Sequence, residues 1–235
     1  MPVRVLDSNG RGNTFTLAYA IDWAVSQGAN VINLSLGADG DSQVLHEAID
    51  RAISQGVIVV AAAGNDNTNV AQYPVGYAGV IGVTAVDSQN VKADFANFGQ
   101  SWVDVAAPGV GITSTMITAD GSGYASWSGT SMATSFVSGA AALAHQRFPK
   151  VGPADIAQVL RTTATNINGL NPTYAGQLGG LLDINAALGA TVNATSTPTL
   201  SPTAPPSPTA SVTPTPVPIT QLSHKLYLPV AKRNK

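Results

Sequence analysis

Val57–Ala63 is an almost unbroken apolar run, and it lies one helical segment downstream of a second such run, Val31–Leu36. A strand that faces water on one side alternates apolar and polar residues, whereas one buried on both faces reads as a continuous apolar run. The segments around these runs have helical spacing. Leu17, Ala20, Ile21, Ala24 and Val25 share one face of Thr14–Gln27, and Leu45, Ala48, Ile49, Ala52 and Ile53 share one face of the next helix, which Asp41 or Ser42 caps. Gly28 and Gly56 end the two helices. Strand, helix, strand, helix, strand with continuous apolar strands predicts a parallel sheet covered on both faces, with right-handed crossovers and a site at the carboxyl ends of the strands. Ser35-Leu36-Gly37 and Gly64-Asn65 stand at two such ends.

The rest of residues 1–190 extends this pattern. Val3–Leu6 reads as a short strand and Gly79–Val86 as another, and residues 93–128 as shorter β segments with turns at Pro108-Gly109 and Asp120-Gly121. Helices are predicted from about Thr130 to Arg147 and from Pro153 to Thr163, the second with proline in its first turn. With 235 residues and 44% hydrophobic content, the chain is long enough for one full core. No run approaches the roughly 18 apolar residues of a membrane span.

Composition changes abruptly at Thr191. Of the next 30 residues, 8 are proline, 9 threonine and 4 serine, and none is charged. Such a segment buries too little to fold, so residues 191–220 read as a disordered, extended linker of the kind that carries O-linked glycans. Residues 221–235 form a short tail with four bases and no acid. It is either a free terminus or a surface-attachment signal. All 13 acidic residues fall within residues 1–190. That acidity, with a net charge of -2 overall, argues against a nucleic-acid partner. The absence of cysteine excludes disulfides, thiolate chemistry and cysteine zinc sites.

The stretch Trp127-Ser128-Gly129-Thr130-Ser131-Met132-Ala133 delivers a serine to the start of a small-residue helix. There Ser131 Oγ lies at the positive end of the helix dipole, beside N–H groups without intrahelical partners. Attack on a carbonyl must build negative charge, and this position suits it. A lone serine at such a boundary is more often an N-cap.

Gly129-Thr130-Ser131-Met132-Ala133 resembles the nucleophile motif of the subtilisin-like serine proteases. Val31-Ile32-Asn33-Leu34-Ser35-Leu36-Gly37, Val59-Val60-Ala61-Ala62-Ala63-Gly64-Asn65, Ala107-Pro108-Gly109 and Asp183-Ile184-Asn185-Ala186-Ala187 are similar to the same family, in the same order. The resemblance covers roughly residues 1–190. It implies a three-layer α/β fold whose mostly parallel sheet is flanked by helices. It also implies Ser131 as nucleophile and Asn65 as oxyanion donor. Ser35-Leu36-Gly37 would pair with an extended polypeptide substrate through main-chain hydrogen bonds. Ala62-Ala63-Gly64 would wall the primary specificity pocket, and their small side chains lead to an expected broad or apolar preference.

The family also uses an aspartate and a histidine. His46 sits in a helix pattern, His145 is 14 residues after Ser131 on the same helix (about 21 Å at 1.5 Å per residue), and His224 lies beyond the linker. None stands in a His-Gly-Thr motif. Asp7 follows a short strand, yet Pro2–Asp7 resembles the strand after the family's histidine helix. The resemblance therefore implies a carboxyl-terminal portion, incomplete at its N-terminal side, with Met1 an internal start and a fragment inactive by itself. Full-length members are extracellular or cell-surface, although this chain opens without a recognisable signal peptide. No cofactor is required, and a weak calcium site is implied at the carbonyls of Val75, Tyr77 and Val80 with the Asp104 carboxylate. Loss of the aspartate-bearing strand leaves Val3–Leu6 either to pair with Val31–Leu36 or to stay loose. Ser135 stands where the family has proline.

Three other assignments fit less well. An α/β-hydrolase needs an acid and then a histidine after its serine. No Gly-x-Gly-x-x-Gly follows a strand here, against a dinucleotide fold. A sedolisin-like site would want aspartate at Asn65. A non-catalytic peptide-binding module derived from a protease is the main alternative.

Overall fold

Asn13 adopts an extended conformation and its side chain accepts a hydrogen bond from Thr16 N at 2.8 Å, which starts helix α1, Thr14–Ser26. The first strand, β1 (Arg11–Asn13), immediately precedes it. The computed structural model describes residues 1–118, 121–192, 225–227 and 232–233. After α1 come β2 (Val31–Leu34), α2 (Gln43–Ser54), β3 (Ile58–Ala62), β4 (Ile81–Val86) and β5 (Val105–Pro108). The hairpin strands β6 (Ile112–Thr118) and β7 (Gly121–Ser128) lead into α3 (Thr130–Arg147). The chain then continues through α4 (Pro153–Thr163), β8 (Gly180–Leu181) and α5 (Ile184–Gly189).

Strands β2, β3, β4, β5 and β8 form one five-stranded sheet in that order, parallel throughout. The central strands β3 and β4 are buried on both faces, as their continuous apolar sequences require. Leu17, Ile21, Leu45 and Ile49 of α1 and α2 pack with Val59 and Ala61 on one face. Ala133, Val137, Ile156 and Leu160 of α3 and α4 pack with Ile58, Val60 and Val83 on the other. This is a three-layer α/β architecture. Helix α3 crosses β2, β3, β4 and β5, and its buried Ala133, Ala140, Ala141 and Ala144 allow the close approach.

Val3–Leu6 forms no strand. Val5 and Leu6 lie partly buried against the α1–α2 core, and Val3 is exposed. A single apolar run has no strand conformation of its own to fall back on, because strand hydrogen bonds require a partner edge. Val3 and Val5 instead line a cavity of about 560 Å³ with Leu17, Ile21, Ile32 and Leu34.

Two short strands from the basic tail are also present. β9 (Lys225–Tyr227) runs antiparallel to β1, and β10 (Lys232–Arg233) runs antiparallel to the end of β7 at Trp127 and Ser128. Asp120 of the expected hairpin turn, the linker from 193 onward and His224 lie outside the described residues.

Candidate active site

Ser131 is the second residue of α3 and 7% exposed. Gly129 caps the helix in an extended conformation, and its N–H donates to Gly109 O at 2.8 Å, which ties the turn to the end of β5. A side chain at Gly109 would press on Ala85 Cβ (2.5 Å) and Gly129 O (2.9 Å), so only glycine permits this approach.

Asn65 follows β3, and Thr130 holds it. Asn65 Oδ1 accepts from Thr130 N and from Thr130 Oγ1, both at 3.0 Å, while Gly64 N donates to Thr130 Oγ1 at 3.1 Å. With the oxygen end of the amide committed, Nδ2 is directed away from Thr130. That nitrogen is buried and has no partner among the described residues. A methyl placed on Gly129 would lie 3.4 Å from Asn65 Nδ2 and 3.8 Å from Ser131 N. A side-chain N–H and a main-chain N–H at a helix N-terminus therefore border one small volume beside the serine. Donors fixed in this way stabilise negative charge on an oxygen without having to reorganise.

Ser131 Oγ donates to Ser35 O at 3.3 Å, and Ser35 Oγ donates to Ser131 O at 3.0 Å. Asn33 Nδ2 donates to Ser35 Oγ (2.9 Å), and Ser138 Oγ donates to Asn33 Oδ1 (2.8 Å). Asn33 of β2 and Ser35 just past it are thus joined to α3. Ala62 ends β3 and Ala63 and Gly64 follow it, all three buried, and Gly64 has φ +104°, a conformation that favours glycine. Of the residues expected at the site, Ser35, Gly64 and Asn65 are hydrogen-bonded to Thr130 or Ser131 at the amino end of α3, whereas Leu36 packs into the α1–α2 core. Ser135 hydroxyl donates to Ser131 O at 3.3 Å, occupying the expected proline position without breaking the first turn.

Sequence reasoning missed two supports. Thr130 lies inside the motif yet was given no part. Asn97, fully buried, donates from Nδ2 to Ala63 O (3.0 Å) and accepts at Oδ1 from Asp66 N (2.9 Å) and Thr68 N (3.1 Å), bracing the loop that carries Asn65. No local pattern marks such a residue, because its partners are 29 to 34 positions away.

The remaining candidates are placed elsewhere. His46 stacks on Tyr77 with ring centroids 4.2 Å apart, and its Nε2 is 3.8 Å from Asp50. His145 is in the last turn of α3, the helix that Ser131 begins. The Asp7 carboxylate accepts from Asn9 N and Arg11 N in a local turn, and those two bonds draw its pKa down. Asp104 Oδ2 accepts from Gly82 N and its Oδ1 takes Arg161 Nη1, each at 2.8 Å, while Tyr77 O accepts from Val80 N. A carboxylate already neutralised by a guanidinium fits a calcium ion poorly.

A sequence model of the subtilase family matches residues 1–180. Alkaline elastase YaB of Bacillus sp. (strain YaB) is 40% identical over 185 residues, covering 79% of this chain and 47% of that protein. Subtilisin BL of Lederbergia lenta is 43% identical over 169 residues, covering 72% and 61%. The chain thus spans about half the length of these curated relatives. Among solved structures, fervidolysin from Fervidobacterium pennivorans, described as a keratinolytic enzyme related to subtilisin, is similar at a TM-score of 0.69 and 35% identity. That similarity covers 77% of this chain and 29% of the other.

Proposed function

The chain belongs to the subtilase family of serine proteases, and from that premise we propose that it carries the nucleophile, oxyanion site and substrate-strand site of a serine endopeptidase, with residues 1–190 as the peptidase portion. The observation that supports this reading most directly is the buried, unpartnered Asn65 Nδ2 beside Ser131 N. A buried donor left unpaired costs free energy, of the order of 1–3 kcal/mol. The cost is recovered when a substrate carbonyl oxygen, and still more a tetrahedral oxyanion, accepts from it.

In this reading Ser131 Oγ attacks the carbonyl carbon of the scissile peptide, whose oxygen moves toward Asn65 Nδ2 and Ser131 N. The substrate lies extended along Ser35–Gly37, and Ala62–Gly64 border the side chain of the residue whose carbonyl is attacked. No cofactor enters. A hydroxyl needs a base to take its proton, and in this chain that proton points to the Ser35 carbonyl. The 235-residue polypeptide by itself therefore hydrolyses peptides negligibly, and an aspartate and a histidine supplied from elsewhere in the protein would complete the chemistry.

The same observation favours a second reading, in which the chain holds extended peptides without cleaving them. Both readings share one peptide site. We place the full-length protein outside the cell, with the basic tail as its attachment segment. Among the described residues no helix is long and apolar enough to cross a membrane.

Titration of nitrogen-15-labelled full chain with a capped extended peptide tests the site. The side-chain amide of Asn65 and the main-chain N–H of Ser131 and Gly37 are expected to shift together, and Asn65→Ala to weaken binding. Peptide-induced shifts confined to other surfaces would overturn the assignment.

A further inference from the structure

Between Gly37 and Gly64 stands a side chain that neither segment contributes. Gln72 precedes the Tyr73-Pro74 turn, and its Oε1 lies 3.0 Å from where a Cβ on Gly37 would be and 2.5 Å from where one on Gly64 would be. Its Nε2 donates to Asp39 Oδ1 at 3.1 Å and to Asp66 Oδ2 at 3.0 Å. The amide can be oriented only this way. Ionised carboxylates accept and cannot donate, so the nitrogen must face them and the oxygen must face the slot. Neither Asp39 nor Asp66 forms an ion pair among the described residues.

We infer that Gln72 determines specificity: it closes the slot between Gly37 and Gly64 with a carbonyl oxygen backed by two carboxylates, and so selects substrates with lysine or arginine at the residue whose carbonyl is attacked. This rests on the peptidase reading of the site. The small side chains of Ala62, Ala63 and Gly64 leave room for a bulky apolar group, but Gln72 takes up that room. An aromatic or branched aliphatic side chain entering the slot would strip water from the Gln72 oxygen and return no hydrogen bond, which is unfavourable. An ammonium or guanidinium group donates to that oxygen and meets the two formal charges on Asp39 and Asp66, making a charge-assisted contact.

The test uses the full 235-residue chain and four acetylated tetrapeptide acids, Ala-Ala-Pro followed by Arg, Lys, Phe or Leu, whose terminal carboxylate stands in for the cleaved carbonyl. Affinity is read from the Asn65 side-chain amide resonance at physiological ionic strength. The Arg and Lys peptides are expected to bind at least about tenfold more tightly than Phe and Leu. Asp66→Asn should shrink that advantage, and Gln72→Gly should shift preference toward Phe. Equal or tighter binding of the Phe or Leu peptide by the parent chain would overturn the inference. So would an Arg preference unchanged in both variants. Equal affinities that all register at Asn65 would sink the specificity claim and leave the peptide site standing, whereas no response at Asn65 to any of the four would sink both.

Discussion

Ser35 and Ser131, 96 residues apart, are hydrogen-bonded in both directions: the Ser35 hydroxyl donates to the Ser131 carbonyl at 3.0 Å and the Ser131 hydroxyl to the Ser35 carbonyl at 3.3 Å. One pair of contacts fixes the end of β2 against the start of α3. It also directs the Ser131 proton to an oxygen that will not abstract it.

Slow reaction of Ser131 with electrophiles follows. In this polypeptide alone, a fluorophosphonate probe should label Ser131 barely above the background seen with Ser131→Ala, as read by intact-mass spectrometry. The proposed oxyanion donors help only once a nucleophile has formed, and removal of the triad groups leaves roughly 10³–10⁴-fold catalysis over water in proteases studied this way. Rapid stoichiometric labelling would show that a base reaches the serine.

Asn97 should matter more for stability than its distance from Ser131 suggests. Asn97→Ala removes partners from Ala63 O, Asp66 N and Thr68 N at once. At about 1 kcal/mol or more for each unpaired group, the loss is about 3 kcal/mol, readable as a lower urea midpoint. Peptide binding at Asn65 should weaken in the same variant, because the loop loses its brace.

Alkaline pH should expose Tyr77. The phenol is 4% exposed, and burial raises its pKa well above the ordinary value of 10.0, with donation of the hydroxyl to Asp41 acting in the same direction. Above pH 10 the unfolded chain releases this proton while the folded chain keeps it, so stability falls as pH rises, by up to about 1.4 kcal/mol per pH unit. Lys92 acts in the opposite sense at somewhat lower pH, since burial lowers its pKa from 10.5. Comparing the parent with Tyr77→Phe by urea unfolding between pH 9 and pH 11 cancels the lysine contribution, and the variant should lack the alkaline decline above pH 10.

Chelation should change little. With Asp104 held by Arg161 and Gly82 N, excess EDTA is expected to move the thermal midpoint by less than about 2 °C, within a fraction of a kcal/mol for a domain of this size. A larger drop would mean that a cation occupies a site these residues do not form on their own.

The layer order and most helix bounds were legible in the sequence because they depend on local periodicity. The expected helices Thr130–Arg147 and Pro153–Thr163 are the observed α3 and α4, and the expected Thr14–Gln27, Val31–Leu36, Val57–Ala63 and Gly79–Val86 differ from α1, β2, β3 and β4 by one or two residues at their ends. The alternation of buried strands and amphipathic helices constrains the fold through burial alone, and the Gly-Thr-Ser-Met-Ala stretch locates the proposed nucleophile because a helix start is itself a local feature. The tertiary structure decided what depends on contacts across the chain. Val3–Leu6 has strand composition but no paired edge, and pairing is a property of two segments. Asn97 and Gln72 occupy loops without periodicity, and the groups they contact lie 29 to 34 residues away for Asn97 and up to 33 for Gln72. Small residues in the sequence marked Ala62–Gly64 as the proposed wall of a pocket. That Gln72 fills the space between Gly37 and Gly64 followed only once the chain had folded, since a side chain's reach is set by packing and not by its place in the sequence.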